Sequence, residues 1–313
     1  MTDYGHDLLY GTFVTPSVQN ARDAVALAVT AEQAGLDLVT YQDHPYHPGL
    51  LDTWTLLTYV AAKTERIRIS GNVLSLPLRP PAVLARAAAS LDILSGGRFE
   101  LGLGAGAFWE GIAAMGGRRL TPAQSVEALR EAITIIRGLW DTDAPAGLRF
   151  DGEYYVISGA KRGPRPAHDI AIWVGGYKPK MLALTGSVAD GWVPTLEYLP
   201  RGGAMLSELN SRIDEAAHAA GRAPAPPATA TACRDPSDIR RLLNVMNVSI
   251  APHSRGTLNG PASQWIDELA DLALNHGISV VMIGGDDQDL TKRFAADIVP
   301  AVREIVARER PLR

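Results

Sequence analysis

Eight times along this chain a short apolar run gives way to a segment with helical spacing, and no other feature constrains the fold as much. The runs lie at residues 8–14, 36–41, 67–75, 99–103, 170–174, 190–193, 242–250 and 279–283. Their apolar character is continuous rather than alternating, as in strands buried on both faces of a parallel sheet. Eight strand–helix units in 313 residues predict an α/β fold of one kind, a (β/α)8 TIM barrel. No Pro-, Gly- or charge-rich boundary splits the chain, so a single domain over residues 1–313 is expected.

The helices between these runs are legible from their caps and stripes. Residues 20–34 place Leu27, Ala31 and Ala34 on one face and stop at Gly35, and Trp54, Leu57 and Ala61 mark the next helix. Val83, Leu84, Ala87, Ala88, Leu91 and Leu94 predict one apolar face before Gly96-Gly97. The clearest helix begins at Thr121-Pro122 with Gln124 completing a capping box, and buries Val126, Leu129, Ile133, Ile136 and Trp140. Helices are also expected at 181–188, 204–220 and 263–276, and a last one at 294–305 kinked by Pro300. From 141 to 169 periodicity lapses except for an extended Tyr154-Tyr155-Val156, which predicts an extra segment lying over or beside the carboxyl-end mouth. Residues 222–228 read as a Pro/Ala-rich surface link.

Charge and composition narrow the function. A net charge of −4 with no Lys/Arg run excludes nucleic acid as the expected partner. Cys233 stands alone, so no intrachain disulfide forms and a reducing compartment fits. No signal-peptide pattern opens the chain, and no apolar run approaches the roughly 20 residues that span a bilayer. A cytoplasmic protein away from membranes is expected.

The stretch LSGGRFELGLGAG (residues 94–106) concentrates the functional signal. Gly96-Gly97 supplies a left-handed helix stop. Gly102, Gly104 and Gly106 then alternate along a strand exit, where glycine costs entropy and packs nothing. Two readings follow: a tight barrel corner, or a flat ligand lying on bare backbone. A Rossmann fingerprint is excluded, because the spacing is GxGxG, Phe108-Trp109-Glu110 replaces a clean helix start, and no strand-ending acid follows about 20 residues later.

Active sites of such barrels sit at the carboxyl ends of the strands. That rule selects Asp43-His44, Gly71-Asn72, Gly104 to Gly106 and Gly175-Gly176. His44 and His47 with Asp43 lack a third His or Cys at a comparable strand end, so no metal is expected. His253 reads as a solvated loop residue. Gly175-Gly176, followed by Tyr177, Lys178 and Lys180, suits a phosphate on bare N–H groups, with an ordinary turn as the alternative. Neither a nucleophile elbow nor a Schiff-base lysine at a strand end supports a hydrolase or aldolase.

These residues resemble the luciferase-like monooxygenase family, the flavin- and deazaflavin-dependent barrel oxidoreductases related to bacterial luciferase. The resemblance rests on RPPAVLARAAASLDILSGGRFELGLGAG (residues 79–106), Trp173-Val174-Gly175-Gly176, Ala189-Asp190-Gly191-Trp192 and Asp43-His44. It implies an oxidoreductase that transfers hydride or activates oxygen on a small-molecule substrate, and a homodimer. It places the cofactor ring against Asn72, Gly104, Ala105 and Gly106, and the cofactor phosphate at Gly175, Gly176 and Tyr177. His44 and Asp43 become the implied catalytic pair. Asp-His after the second strand favours coenzyme F420, whereas Glu-His is more frequent in members that use FMN, the alternative. The sugar-phosphate dehydrogenase branch carries a glutamate just after the strand-four glycines; Ala107 stands there in this chain, leaving the substrate open. A non-catalytic flavin-binding or interaction protein with a degenerate pocket is the competing reading.

Overall fold

The computed structural model describes residues 3–222 and 235–310. Cys233, and the surface link expected at 222–228 apart from Arg222, lie outside the described residues. Eight strands close into a parallel barrel: β1 (Leu9–Val14), β2 (Leu38–Tyr41), β3 (Arg68–Gly71), β4 (Phe99–Gly104), β5 (Ile172–Gly175), β6 (Gly191–Val193), β7 (Arg240–Val245) and β8 (Val280–Gly284). Each pairs with its sequence neighbours, β1 with β8, and β3 with β4 through Ile69 opposite Phe99. The accompanying helices are α1 (Ala21–Gln33), α2 (Thr53–Ala61), α3 (Pro81–Ser95), α4 (Pro122–Trp140), α5 (Pro179–Val188), α6 (Leu206–Arg222), α7 (Ala262–His276) and α8 (Val299–Glu309).

Strand side chains divide between two cores because successive residues face opposite ways. Phe13, Leu38, Trp173, Val193, Leu242, Val280 and Met282 fill the barrel interior. Tyr10, Val39, Tyr41, Ile69, Leu101 and Val174 pack outward under the helices. α4 forms as its sequence dictates: Thr121 Oγ1 accepts from Gln124 N, Gln124 Oε1 accepts from Thr121 N, and Val126, Leu129, Ile133 and Ile136 are buried.

The glycine stop after α3 has a specific purpose. Gly96 and Gly97 take φ of +71° and +82°, and Gly97 N–H closes the helix on Asp92 O at 2.9 Å. The turn delivers Arg98 into a buried nest of acceptors: the carbonyls of Ala61, Thr64, Ile67 and Ser95 and the Thr64 hydroxyl. One guanidinium thus ties α2, β3 and α3 together at the start of β4.

Several expectations need correction. Val83 and Leu94 are 65% and 80% exposed, because the core takes the face that carries Leu84, Ala85, Ala88, Ala89 and Leu91. The third strand ends at Gly71, bulges at Asn72-Val73, whose peptide is cis, and resumes briefly at Leu74–Ser75. The seventh ends at Val245; Ser249–Ile250 pairs instead with Asn259–Gly260. Pro300 lies in the first turn of α8, so the irregularity falls just before it, as a π-helical turn at Phe294–Ile298.

The 141–169 segment, expected over or beside the mouth, contains a β-hairpin, Leu148–Asp151 with Val156–Ala160, whose tip borders the rim. Its backbone is held from the flank: Glu131 of α4 accepts from the N–H groups of Glu153, Tyr154 and Tyr155, and Arg86 of α3 donates to Lys161 and Gly163 carbonyls. Its tip reaches the rim, where Tyr155 borders a groove of about 420 Å3 with Leu76 to Pro80 and Met115 to Gly117, and Arg118 lies 5.7 Å from the Tyr154 ring centroid. The segment returns to the amino-terminal face, where His168 Nδ1 meets buried Asp92 at 2.8 Å and Nε2 meets Glu100 at 3.4 Å.

Candidate active site

At the carboxyl end of the barrel the strands bring polar groups over the apolar interior. Asn72 Nδ2 donates to Asn244 Oδ1 at 2.7 Å and to Thr40 Oγ1 at 3.2 Å. Asn244 Nδ2 returns a bond to Asn72 Oδ1 at 3.1 Å and reaches Thr195 Oγ1 at 3.2 Å. These bonds cross the barrel from β2 and β3 to β7 and the chain after β6. Beside them Val73 joins the interior cluster that contains Trp173. The indole Nε1 of Trp173 is buried and has no hydrogen-bond partner among the described residues.

The alternating glycines are explained first by the chain itself. A Cβ on Gly102 would lie 2.1 Å from Gly71 O, and one on Gly104 would lie 2.8 Å from Val73 Cγ2. Gly175 faces the same Val73 methyl from β5, at 3.2 Å. Gly104 and Gly175 therefore make room for the Asn72-Val73 bulge. Gly106, at φ +97°, sits against Pro77 and Trp109, next to buried Ala105.

After β5, Gly176 adopts φ +119°, and its carbonyl accepts from Trp192 Nε1 at 2.6 Å. The two sequence motifs that end in Gly175-Gly176 and in Gly191-Trp192 are thus joined by one bond. α5 begins at Pro179 with no side-chain cap at Lys178; Pro179 has no N–H, and those of Met181 and Leu182 donate to the Lys178 carbonyl at 2.9 and 3.0 Å. Tyr177 is half-buried against the core, with Lys178 Nζ 6.0 Å from its ring centroid.

Asp43 and His44 do different things. Asp43 is 4% exposed, and its carboxylate accepts from Ser75 N (2.8 Å), Arg79 Nε (3.2 Å) and Arg79 Nη2 (2.9 Å). Burial works against the Arg79 charge, but Asp43 and Asp52 outweigh it and hold the guanidinium above its usual range. Asp52, 3.3 Å from Arg79, also caps α2 by accepting from Thr55 N. Asp43 thereby fixes the chain on which His44 stands. His44 is half-buried; its Nδ1 lies 2.7 Å from the Tyr46 hydroxyl and its ring meets the Phe108 edge at 5.5 Å. Burial pushes the imidazole below its usual value, offset in part by the Asp43 charge.

The remaining candidates fall elsewhere. His47 is exposed and accepts from Gly49 N, and His253 is exposed. Among the described residues no group of three or more His, Cys, Asp or Glu side chains is placed to hold a metal ion, and no helix is long and apolar enough to cross a membrane. Tyr46, Arg79, Thr195 and Asn244 were not singled out from the sequence. Asn244 carried a usable signal, an amide inside the apolar run of β7.

The comparisons with known proteins agree with this architecture. The model of the luciferase-like monooxygenase family matches residues 4–274. An F420-dependent glucose-6-phosphate dehydrogenase from Amycolatopsis mediterranei is 36% identical over 180 residues, 56% of this chain and 53% of that protein. The chain thus spans about half the length of that curated relative. The solved structure of an F420-dependent secondary alcohol dehydrogenase with an F420–acetone adduct superposes with a TM-score of 0.79 at 19% identity, over 95% of this chain and 99% of that one. The oxygenating constituent of 3,6-diketocamphane monooxygenase of Pseudomonas putida, in complex with FMN, gives 0.71 at 16% identity, over 94% and 98%. At these identities the two structures speak for the fold.

Proposed function

The chain belongs to the luciferase-like monooxygenase family, and from that premise we propose that it is a flavin- or deazaflavin-dependent oxidoreductase acting on a small organic substrate. Coenzyme F420 is the favoured cofactor, on the Asp43-His44 pair and the F420-dependent relative, and FMN is the alternative. The observation that carries the reading is the mouth itself: an apolar platform at Val73 beside the amide edge of Asn72 and Asn244, with His44 on the adjoining strand end.

The donor set fits such a cofactor. A flat ring needs an apolar face and a polar rim, and Val73 with Asn72, Asn244 and Thr195 offers both. The orphaned Trp173 N–H is a further buried donor in the same interior. Gly104 at the end of β4, with Ala105 and Gly106 after it, would border the ring. Gly175, Gly176 and Tyr177, just before α5, would hold the phosphate with their backbone N–H groups. When bound, the cofactor supplies a ring position that takes or gives a hydride. The chain then has three tasks. The packed interior excludes water, the amides orient the ring, and His44 moves the proton that accompanies the hydride. Asp43 serves His44 by position, since its oxygens are engaged by Ser75 and Arg79.

Glucose 6-phosphate is disfavoured as substrate. Ala107 offers no carboxylate to a sugar hydroxyl, and the neighbouring Phe108 is 58% exposed. Arg79, the cation nearest His44 in these bonds, is already paired with two carboxylates. A neutral substrate with apolar surface suits these surroundings. The whole of residues 1–313 is proposed as one luciferase-like domain in a cytoplasmic homodimer, the pairing supported by the outward Val83 and Leu94 of α3 and Tyr59 of α2. The test is spectroscopic titration of the protein with F420 and FMN, oxidised and reduced, followed by turnover with alcohols and carbonyl compounds. Saturable binding with turnover supports an enzyme, binding alone a degenerate pocket, and no binding of either cofactor removes the reading.

A further inference from the structure

We propose that Tyr46 is the positioning partner of His44 and the outer half of a proton relay, holding the imidazole through Nδ1 and carrying the proton that substrate exchanges at Nε2. The proposal rests on the oxidoreductase reading for the identity of the substrate step, but the positioning itself stands on geometry in the chain.

Four observations converge on Tyr46. Its hydroxyl lies 2.7 Å from His44 Nδ1, with only Pro45 between the two residues. Among the described residues His44 Nε2 has no hydrogen-bond partner, so one nitrogen is engaged and the other is left for chemistry. Phe108, from the chain after β4, completes an aromatic triangle, 5.5 Å from His44 and 5.9 Å from Tyr46. The fourth observation is Gly111, in the short helix Trp109–Ala114. A Cβ there would come within 2.7 Å of Tyr46 Cγ and 2.8 Å of Cδ2. Gly111 has no left-handed φ to require glycine, and glycine inside a helix is worse than alanine. What the position needs is the space, and the Tyr46 ring occupies it.

The surroundings keep the pair neutral. Burial lowers the His44 pKa, and burial together with the Asp43 charge raises that of Tyr46. The charged and titratable groups around His44 are Asp43 and His47 on its own loop and Arg79 from the chain after β3, which is ion-paired with Asp43 and Asp52. Phe108 brings no charge, and Glu110 beyond it is paired with Arg119. A neutral imidazole bonded to a neutral phenol passes a proton without accumulating an imidazolium. In oxidation of an alcohol, the carbinol C–H leaves as hydride to the oxidised flavin or deazaflavin. The hydroxyl proton goes to Nε2, the Nδ1 proton moves to the Tyr46 oxygen, and the Tyr46 proton leaves to water. Carbonyl reduction runs the same transfers in reverse. His44 changes tautomer once per turnover; it is reset when the Nε2 proton passes to water after product leaves, Tyr46 returns a proton to Nδ1, and water reprotonates Tyr46.

The experiment reads His44 directly, by long-range 15N–1H NMR on the cofactor-free protein. In wild type one tautomer dominates. Tyr46→Phe, which keeps the ring and removes the hydroxyl, changes the tautomer ratio by on the order of fivefold, as loss of one net hydrogen bond implies. Gly111→Ala moves the ratio the same way with circular dichroism unchanged. In the loaded enzyme Tyr46→Phe lowers kcat by roughly 10- to 100-fold with little change in substrate KM. Unchanged 15N shifts in Tyr46→Phe would overturn the positioning, and shifted resonances with wild-type kcat would overturn the relay. If wild type binds neither F420 nor FMN, the oxidoreductase reading fails while the NMR comparison still decides the role of Tyr46.

Discussion

Gly176→Ala separates a phosphate cradle from an ordinary turn. At φ +119° this residue occupies backbone space that an L side chain rarely takes. The new Cβ would also lie 3.1 Å from Met181 Cγ, a flexible neighbour able to shift. The cost is therefore chiefly conformational, about 1–3 kcal/mol. Against a typical total of about 5–15 kcal/mol the fold survives, with a Tm lowered by several degrees. Relieving the strain rotates the peptide whose carbonyl accepts from Trp192 at 2.6 Å, and with it the N–H groups proposed to meet the phosphate. Loss of one hydrogen bond to a charged group costs about 1.5–3 kcal/mol. Affinity for a phosphorylated cofactor then falls by roughly 10- to 100-fold. The assay is fluorescence titration of FMN and F420 alongside riboflavin, which shares the ring system of FMN but carries no phosphate. FMN and F420 should weaken while riboflavin stays within about twofold, since only the phosphate contact is lost. Equal weakening of all three, or unchanged affinity for FMN and F420, would refute the cradle.

Two further perturbations test the frame around the site. His168 is held above its usual pKa first by its hydrogen bond to Glu100, with Asp92 adding to the effect and burial opposing it. A pKa raised on folding stabilises below the unfolded value near 6.5 and loses that contribution as pH rises through the folded value. The advantage of wild type over His168→Gln in urea unfolding should therefore shrink from pH 5.5 towards pH 8, and a constant difference would show that the proton is not involved. Leu94→Glu places a charge on an 80%-exposed apolar position of α3. Sedimentation should find wild type dimeric and the variant monomeric with an unchanged circular dichroism spectrum; a dimeric variant would move the interface elsewhere.

The barrel was legible because its strands are buried on both faces, which leaves uninterrupted apolar runs between helices with ordinary caps. Thr121, Pro122 and Gln124 marked α4 to the residue, because a capping box is local chemistry. Features set across space were hidden. Leu84 and Leu94 look alike in sequence, and only the packing of α3 buries the first and leaves the second outside. The glycines of β4 announced a close approach, yet what approaches Gly102 is the backbone of β3 at Gly71, and what approaches Gly104 is the bulge after it. Asp43 and His44 stood out as a pair, but Arg79 and Ser75 engage one and Tyr46 the other. The hairpin within 141–169 was not legible from its irregular spacing; its anchors on Glu131 and Arg86 are single polar residues on separate helices.

The most direct measurement is equilibrium binding of F420 and FMN to the purified protein, read by absorbance and fluorescence, with Asn72→Ala in parallel. Saturation at one cofactor per chain, with F420 tighter than FMN and both weakened in Asn72→Ala, is the expected result. No saturable binding of either cofactor, or binding indifferent to Asn72, would contradict a cofactor site at this barrel mouth.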